Sequence, residues 1–361
     1  INDLAFFQPW IKKDLQGFIT FEGDLLGELL SPHVALYLTS PHLLIANHSF
    51  QNIHSTMNVN PENKNLHGFF DLDFNYKGTQ WKTASLFDWK NSRETLTFSE
   101  LQIQTPGSQL NGEVTFSTED FIGEGWIEAQ VDDLKDFSQF MEVPLKGEGK
   151  LKLHLREIAK THNQRHQAIQ AEFIGHNLQW KNWETQQIFL DLNLDPSTKN
   201  SSIFHVRGSL NGEQLKEGDY FLGQYAAQFS HQINLSQSTL QHFSTKWEVE
   251  EVKWPDGSAL KAAGQFESID PLEILEGKFD FIANGVKTSS IELQELMGFV
   301  HIHPDQKKHP FQLKGRGFWK EDLFFHLEGN WHDKNEEVEM EAQHLTGRFG
   351  PYPFQLKQPL H

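Results

Sequence analysis

The feature that most constrains this chain is a side-chain period of two, repeatedly punctuated by glycine. In the run LHGFFDLDFNY, Phe70, Leu72, Phe74 and Tyr76 fall on one side, while Phe69, Asp71, Asp73 and Asn75 fall on the other. Successive side chains of a strand point to opposite faces, so this spacing predicts a strand with one face turned from water. The same alternation runs through Val34, Leu36 and Leu38, through Leu110, Gly112, Val114 and Phe116, and through Ile127, Ala129 and Val131. It returns where Leu151, Leu153 and Leu155 alternate with Lys150, Lys152 and His154, and where Ile188, Leu190, Leu192 and Leu194 alternate with Phe189, Asp191, Asn193 and Asp195. Between the pair Leu96, Phe98 and the pair Leu101, Ile103 the parity slips at Ser99-Glu100, which predicts a bulge or bend. Pro106-Gly107-Ser108 and Trp254-Pro255-Asp256-Gly257-Ser258 predict turns.

A second signature overlies the first: an apolar residue, any residue, glycine, any residue, then an apolar or aromatic residue. It occurs at Leu15-Gly17-Ile19, Leu66-Gly68-Phe70, Leu110-Gly112-Val114, Leu275-Gly277-Phe279 and Leu327-Gly329-Trp331. Glycine on the apolar side of a strand removes a side chain where a neighbour packs closely or where the sheet must curve. A sheet curved this way, apolar on its concave side, is a trough. The alternative is that these glycines sit on ordinary sandwich strands beside turns.

Long-period similarity accompanies the strands. Asp132 or Asp133 can cap a short helix carrying Leu134, Phe137 and Met141, and Pro144 ends it before a strand opens at Leu145-Lys146-Gly147. The start of the chain, DLAFFQPWIKKDLQGFITF, repeats that unit. The stretch QAIQAEFIGHNLQW from Gln167 resembles VALYLTSPHLLIAN from Val34, and Leu194-Asp195-Pro196 matches Val59-Asn60-Pro61. These matches predict an array of repeats at 1–130, 131–268 and, in part, 269–361, with helices confined to 1–13, 132–142 and 289–298.

Composition excludes several functions. Forty-nine acidic residues against 31 basic give a net charge of -18, the wrong sign for binding nucleic acid or anionic lipid heads by bulk charge. With no cysteine, a disulfide frame, a thiolate metal site and a cysteine nucleophile are excluded. Thirty Phe and 10 Trp supply the apolar bulk. His301, His303 and His309 are the one histidine group worth weighing for metal, but no carboxylate stands at supporting spacing. The acidic groups Glu248-Glu250-Glu251 and Glu336-Glu337-Glu339-Glu341 lack the glycine-turned loop of a calcium site and read as solvated faces. Neither a nucleophile elbow nor a Ser-His-Asp arrangement has a supporting motif, so no enzyme, catalytic residue, metal or cofactor is assigned.

The pattern DL-x-x-F, then L-x-G-x-L-x-L, then PHVALYL with a following HL, then a glycine-opened strand, resembles the repeats of TamB and the wider AsmA-like group over roughly residues 3 to 350. The resemblance implies an all-β fold, an elongated antiparallel sheet curled into an open groove. It further implies a place in the periplasm and cell envelope of a Gram-negative-type bacterium, phospholipid as cargo, an Omp85-type outer-membrane partner, and an inner-membrane anchor outside this segment. The expected lipid-groove lining is Phe70, Leu72, Phe74, Leu96, Phe98, Val114, Phe116, Ile127, Leu151, Leu153, Ile188, Leu190 and Leu192. An apolar trough suits acyl chains because burial of methylene groups is non-directional and needs no sharp motif. Two other readings stand beside it. One is a structural or chaperone-like scaffold that lends a strand edge to outer-membrane proteins. The other is a glycan-binding or glycan-hydrolysing β-sandwich.

Overall fold

The computed structural model describes residues 15–28, 31–45, 48–62, 65–91, 94–120, 122–135, 144–159, 165–197, 203–234, 239–270, 274–302, 308–334 and 337–360. The chain divides into two compact units, Ile1–Gly175 and His176–His361. Each is an open antiparallel sheet, as the alternation predicts, and almost every described residue is in a strand.

The first unit holds β1 (Leu15–Gly17), β2 (Thr20–Glu28), β3 (Ser31–Ile45), β4 (His48–Glu62), β5 (Asn65–Tyr76), β6 (Thr79–Lys90), β7 (Thr95–Thr105), β8 (Ser108–Ser117), β9 (Gly123–Val131) and β10 (Leu145–Ala159). β1 and β2 lie end to end along β3, and from β3 to β10 each strand pairs with the next. The division between units falls inside β11 (Arg165–Trp180). The second unit continues with β12 (Trp183–Pro196), β13 (Ile203–Glu217), β14 (Tyr220–Asn234), β15 (Thr239–Trp254), β16 (Gly257–Asp270) and β17 (Ile274–Thr288). It ends with β18 (Glu292–Ile302), β19 (His309–Trp319), β20 (Glu321–Lys334), β21 (Glu337–Phe349) and β22 (Tyr352–Gln355). From β12 to β22 the ladder again follows sequence order. Antiparallel neighbours need only tight connections, and the two predicted turns are such connections, β7 to β8 and β15 to β16. The matched sequence segments lie eight strands apart each time: β3 with β11, β4 with β12, and the β7–β8 turn with the β15–β16 turn.

The slip at Ser99-Glu100 is a bulge: the β7–β8 register shifts between Phe98 and Leu101, and Glu100 takes φ 52°. Similar shifts occur at Asn52 (φ 51°) and His242 (φ 49°). An extra residue in one strand bends it and raises the local twist. Buried hydroxyls sit beside two of these bulges. Ser40 donates to the His42 carbonyl at 3.0 Å, and Ser85 reaches the carbonyls of Leu86 at 2.8 Å and Ser99 at 2.9 Å.

The helix expected at 289–298 is corrected by the structure: Glu292–Ile302 is β18. Leu293 and Leu296 stand three apart. A register shift between Leu293 and Glu295 inserts one residue, so Leu293 faces Gly317 and Leu296 faces Gly315 on the same side. A bulge turns the strand spacing of two into a helix-like three. At 132–142, Leu134 lies in a turn and Lys135 is helical; 136–142, like 1–13, lie outside the described residues.

The side chains left with almost no access to water are small or isolated. Tyr76, Val114, Ser40 and Ser85 are the largest fully buried ones, and none is Leu, Ile, Phe or Trp. A small cluster of Ala259, Ala283, Val286 and Leu293 forms a local core in the second unit. Extensive strand contacts run between ladder neighbours. Two sheets packed face to face would bury their inner Leu and Phe residues, and this pattern is not seen among the described residues.

Candidate functional site

Directly opposed residues of an antiparallel ladder share a face, so the register fixes which side chains line up across strands. In the first unit one such row runs Leu25, Val34, Val59, Gly68, Phe87, Phe98, Val114, Gly125 and Leu155, crossing every strand from β2 to β10. A second row on the same face contains Leu72, Ile103, Leu110 and Leu151, with Thr83 and Ala129 between them. Phe70 and Phe74 flank Leu72 on this face, Leu96 faces Phe116, and Ile127 faces Leu153. The expected lining residues of the first unit therefore all share one face: Phe70, Leu72, Phe74, Leu96, Phe98, Val114, Phe116, Ile127, Leu151 and Leu153.

In the second unit Ile188, Leu190 and Leu192 head three parallel rows. Leu190 leads through Leu210, Ala227, Trp247, Gly264, Phe281, Gly298, Leu313 and Leu327 to Leu345. Leu192 leads through Phe229, Phe266, Phe279 and Phe311 to Ala342, with Thr245 its single polar member. Ile188 leads through Tyr225, Val249, Ala283, Leu296 and Phe325 to Phe354 on β22. Sequence reasoning stopped at β12 in naming this lining. It missed Trp247, Phe281, Leu313 and Leu327, although β15, β17, β19 and β20 carry the same alternation.

Most glycines in these rows are gaps filled by rings from the next strand, Gly125, crowded by the Glu113 and Val114 backbone, being an exception. A Cβ added at Gly264 would lie 2.6 Å from Trp247 Cζ2, and one at Gly298 2.5 Å from Phe281 Cε1. Gly68 faces Phe87, Gly212 faces Tyr225, Gly315 faces Phe325 and Gly347 faces Phe354 in the same way. Rings two strands apart then meet over the small residue between them. Trp247 stacks on Phe279 with centroids 6.0 Å apart, and Phe70 meets Phe98 edge-on at 6.1 Å. Strands two steps apart are separated by about 9.6 Å, so these rings lean together across the intervening strand. The abundance of both Phe and Gly follows from this pairing, an aromatic ring covering a glycine on the neighbouring strand.

The apolar face is sheltered without being sealed. Of the expected lining, Val114 is buried and the other residues are half-buried. In the first unit exposure falls inward from the edge, from Leu25 at 73% on β2 to Met57 at 37% on β4, and the large apolar residues of this face are half-buried beyond. His231 also lies on the apolar face, between Phe229 and Phe243, and burial lowers its pKa. Tyr225 donates to or accepts from Thr185 at 2.9 Å; burial raises its pKa against that hydrogen bond.

The opposite face is polar. In the second unit Asp191, Ser209, Gln228, Lys246, Gln265 and Asp280 form one row across it. Ion pairs join neighbouring strands there: Arg207 with Asp195 at 2.9 Å, Arg316 with Glu295 at 3.5 Å, and Lys261 with both Glu248 and Glu250. Four hollows of this unit are lined mainly by residues of this polar side. The histidines weighed for metal separate: His301 faces Lys278 on the polar side and His309 faces Trp331 on the apolar side, while His303 lies outside the described residues. Among the described residues no three His, Asp or Glu side chains gather as a metal-holding group. Glu341 pairs with Lys308 at 2.8 Å, and no described helix is long and apolar enough to cross a membrane.

Compared with models of known protein families, with curated proteins and with solved structures, the chain matches none.

Proposed function

We propose that this chain is a segment of a TamB-like bacterial envelope protein whose apolar sheet face shields phospholipid acyl chains between the inner and outer membranes. The observation that carries this reading is the set of three apolar rows, side by side, crossing the second unit without a charged residue. Residues alternating on one strand face stand about 6.6 Å apart, so three rows give a strip of about 13 Å, and nine strand steps extend it about 43 Å. Each methylene moved from water onto such a strip is stabilised by roughly 0.8 kcal/mol. Successive positions along a row offer similar apolar surface, so a chain can shift along it without crossing a charged site. The acidic reverse face keeps such a protein soluble. A linked role in outer-membrane protein assembly, an Omp85-type partner and an inner-membrane anchor outside this segment belong to the same proposal.

The test is native mass spectrometry after expression in a Gram-negative periplasm, with extracted ligands identified. Co-purified phospholipid that disappears in Phe74→Asp, Leu153→Asp and Leu190→Asp variants is the expected result. A ligand-free mass, cooperative unfolding and no lipid uptake would refute the proposal. One observation favours the strand-lending scaffold as a second reading. The outer edge of β2 has no ladder partner among the described residues, and it carries Phe21 at 51% and Leu25 at 73% exposure.

A further inference from the structure

The polar face of the second unit carries an apolar island. Ala263, Ile282 and Met297 are directly opposed on β16, β17 and β18, and Phe299 stands beside Met297 on the same face. Met297 is 39% exposed there. The island floors a shallow, open hollow of about 610 Å³. Most of its lining residues, among them Lys246, Gln265, Gln312 and Lys314, belong to the polar side, with Trp247 and Phe281 of the apolar row also bordering it.

Lys314 is directly opposed to Met297 and so ends the apolar row. Lys246 faces the hollow from the far side, on β15. Neither lysine has an ion-pair or hydrogen-bond partner among the described residues, although nearby Lys261, Lys278 and Arg316 are all matched to carboxylates. The one carboxylate lining the hollow, Asp280, is occupied by Lys278 at 2.9 Å and Gln265 at 3.1 Å. A linear apolar floor with an unmatched cation at its end is complementary to a chain that terminates in an anion.

We propose that this hollow binds an amphipathic anion, a linear alkyl chain seated on Ala263, Ile282 and Met297 with its terminal carboxylate on Lys314. From Lys314 to Ala263 is three strand steps, about 14 Å, which accommodates a medium-length fatty acid lying across the strands. Beyond Ala263 the row continues to Glu248, which is matched to Lys261, while Lys246 faces the hollow from beside it. This site lies on the face opposite the proposed acyl-chain strip and does not depend on it.

The experiment uses decanoate carrying a terminal photoreactive diazirine on the whole chain, with labelled residues mapped by mass spectrometry and affinity read by calorimetry. Label is expected at Ala263 and Ile282, the end of the floor away from Lys314. Lys314→Gln should weaken decanoate about tenfold, the effect of losing one hydrogen bond to a charged group. Lys246→Gln should weaken it less, and decyl maltoside, which has the chain but no anion, should not compete. Leu313→Gln, adjacent in sequence but on the other face, should leave this binding unchanged while circular dichroism reports folding of every variant. Label confined to the apolar face, affinity indifferent to Lys314→Gln, or no saturable binding would each overturn the assignment. Failure here leaves phospholipid retention on the apolar face to be judged by native mass spectrometry with Leu190→Asp.

Discussion

Gly315 and Phe325 provide a sharp test of how the apolar face is built. The two are directly opposed on β19 and β20, and the nearest atoms to a Cβ added at Gly315 all belong to the Phe325 ring. That Cβ would stand 2.5 Å from Cζ and still nearer Cε1. Carbon atoms rest at about 3.5–4.0 Å, so the ring must retreat by roughly 1 Å or more. Forcing a methyl into a filled site costs about 1–3 kcal/mol, whereas replacing glycine by alanine in a compatible backbone returns about 0.4–1 kcal/mol by restricting the unfolded chain. Gly315→Ala should therefore destabilise by about 1–2 kcal/mol. In a Phe325→Ala background nothing occupies the gap, and Gly315→Ala should become neutral or stabilising by up to about 1 kcal/mol. A double-mutant cycle in urea, read by circular dichroism at 25 °C, measures the difference, expected near 2 kcal/mol. A coupling below about 0.5 kcal/mol would show that the ring is not the reason for the glycine.

Ser85→Ala should cost about 1–3 kcal/mol in the same assay, because it strips a buried hydroxyl from two carbonyls at the Glu100 bulge. His231 has its pKa lowered by burial, so the unfolded chain binds its proton more readily than the folded one. Stability linked to it is fully present above the ordinary imidazole pKa of about 6.5 and declines as pH falls below that value. A His231→Phe variant should show a weaker loss of stability between neutral and mildly acidic pH than the parent; an unchanged slope counts against the linkage. Leu153→Asp should leave the chain folded but stripped of lipid if its face is open to solvent. Loss of cooperative unfolding would instead mark a sealed core, since an unpaired buried charge is costly.

Much of the fold was legible without coordinates wherever the period of two ran unbroken. The faces of Phe70, Leu72 and Phe74, the turn at Pro106-Gly107 and the slip at Ser99-Glu100 all follow from local chemistry. The helix expected at 289–298 is instead a strand with a bulge between Leu293 and Leu296, and a bulge is specified by the partner strand as much as by its own residues. The glycine signature showed that something crowds those positions. That the crowding groups are Phe87, Tyr225, Trp247 or Phe325 on the next strand was not visible, because no local spacing connects Gly264 to Trp247.

The sequence by itself determined the strand character of the chain and which residues share a face within each strand, since side chains alternate strictly along an extended backbone. Only the tertiary structure decided how those faces join into rows. A shift of one residue in any ladder would move Leu190 or Leu153 to the solvent side, so continuity from Leu190 to Leu345 depends on registers set by bulges and ring-over-glycine contacts between strands. The hollow ending at Lys314 has the same origin: Ala263, Ile282 and Met297 are far apart in the chain and adjacent only because three registers agree.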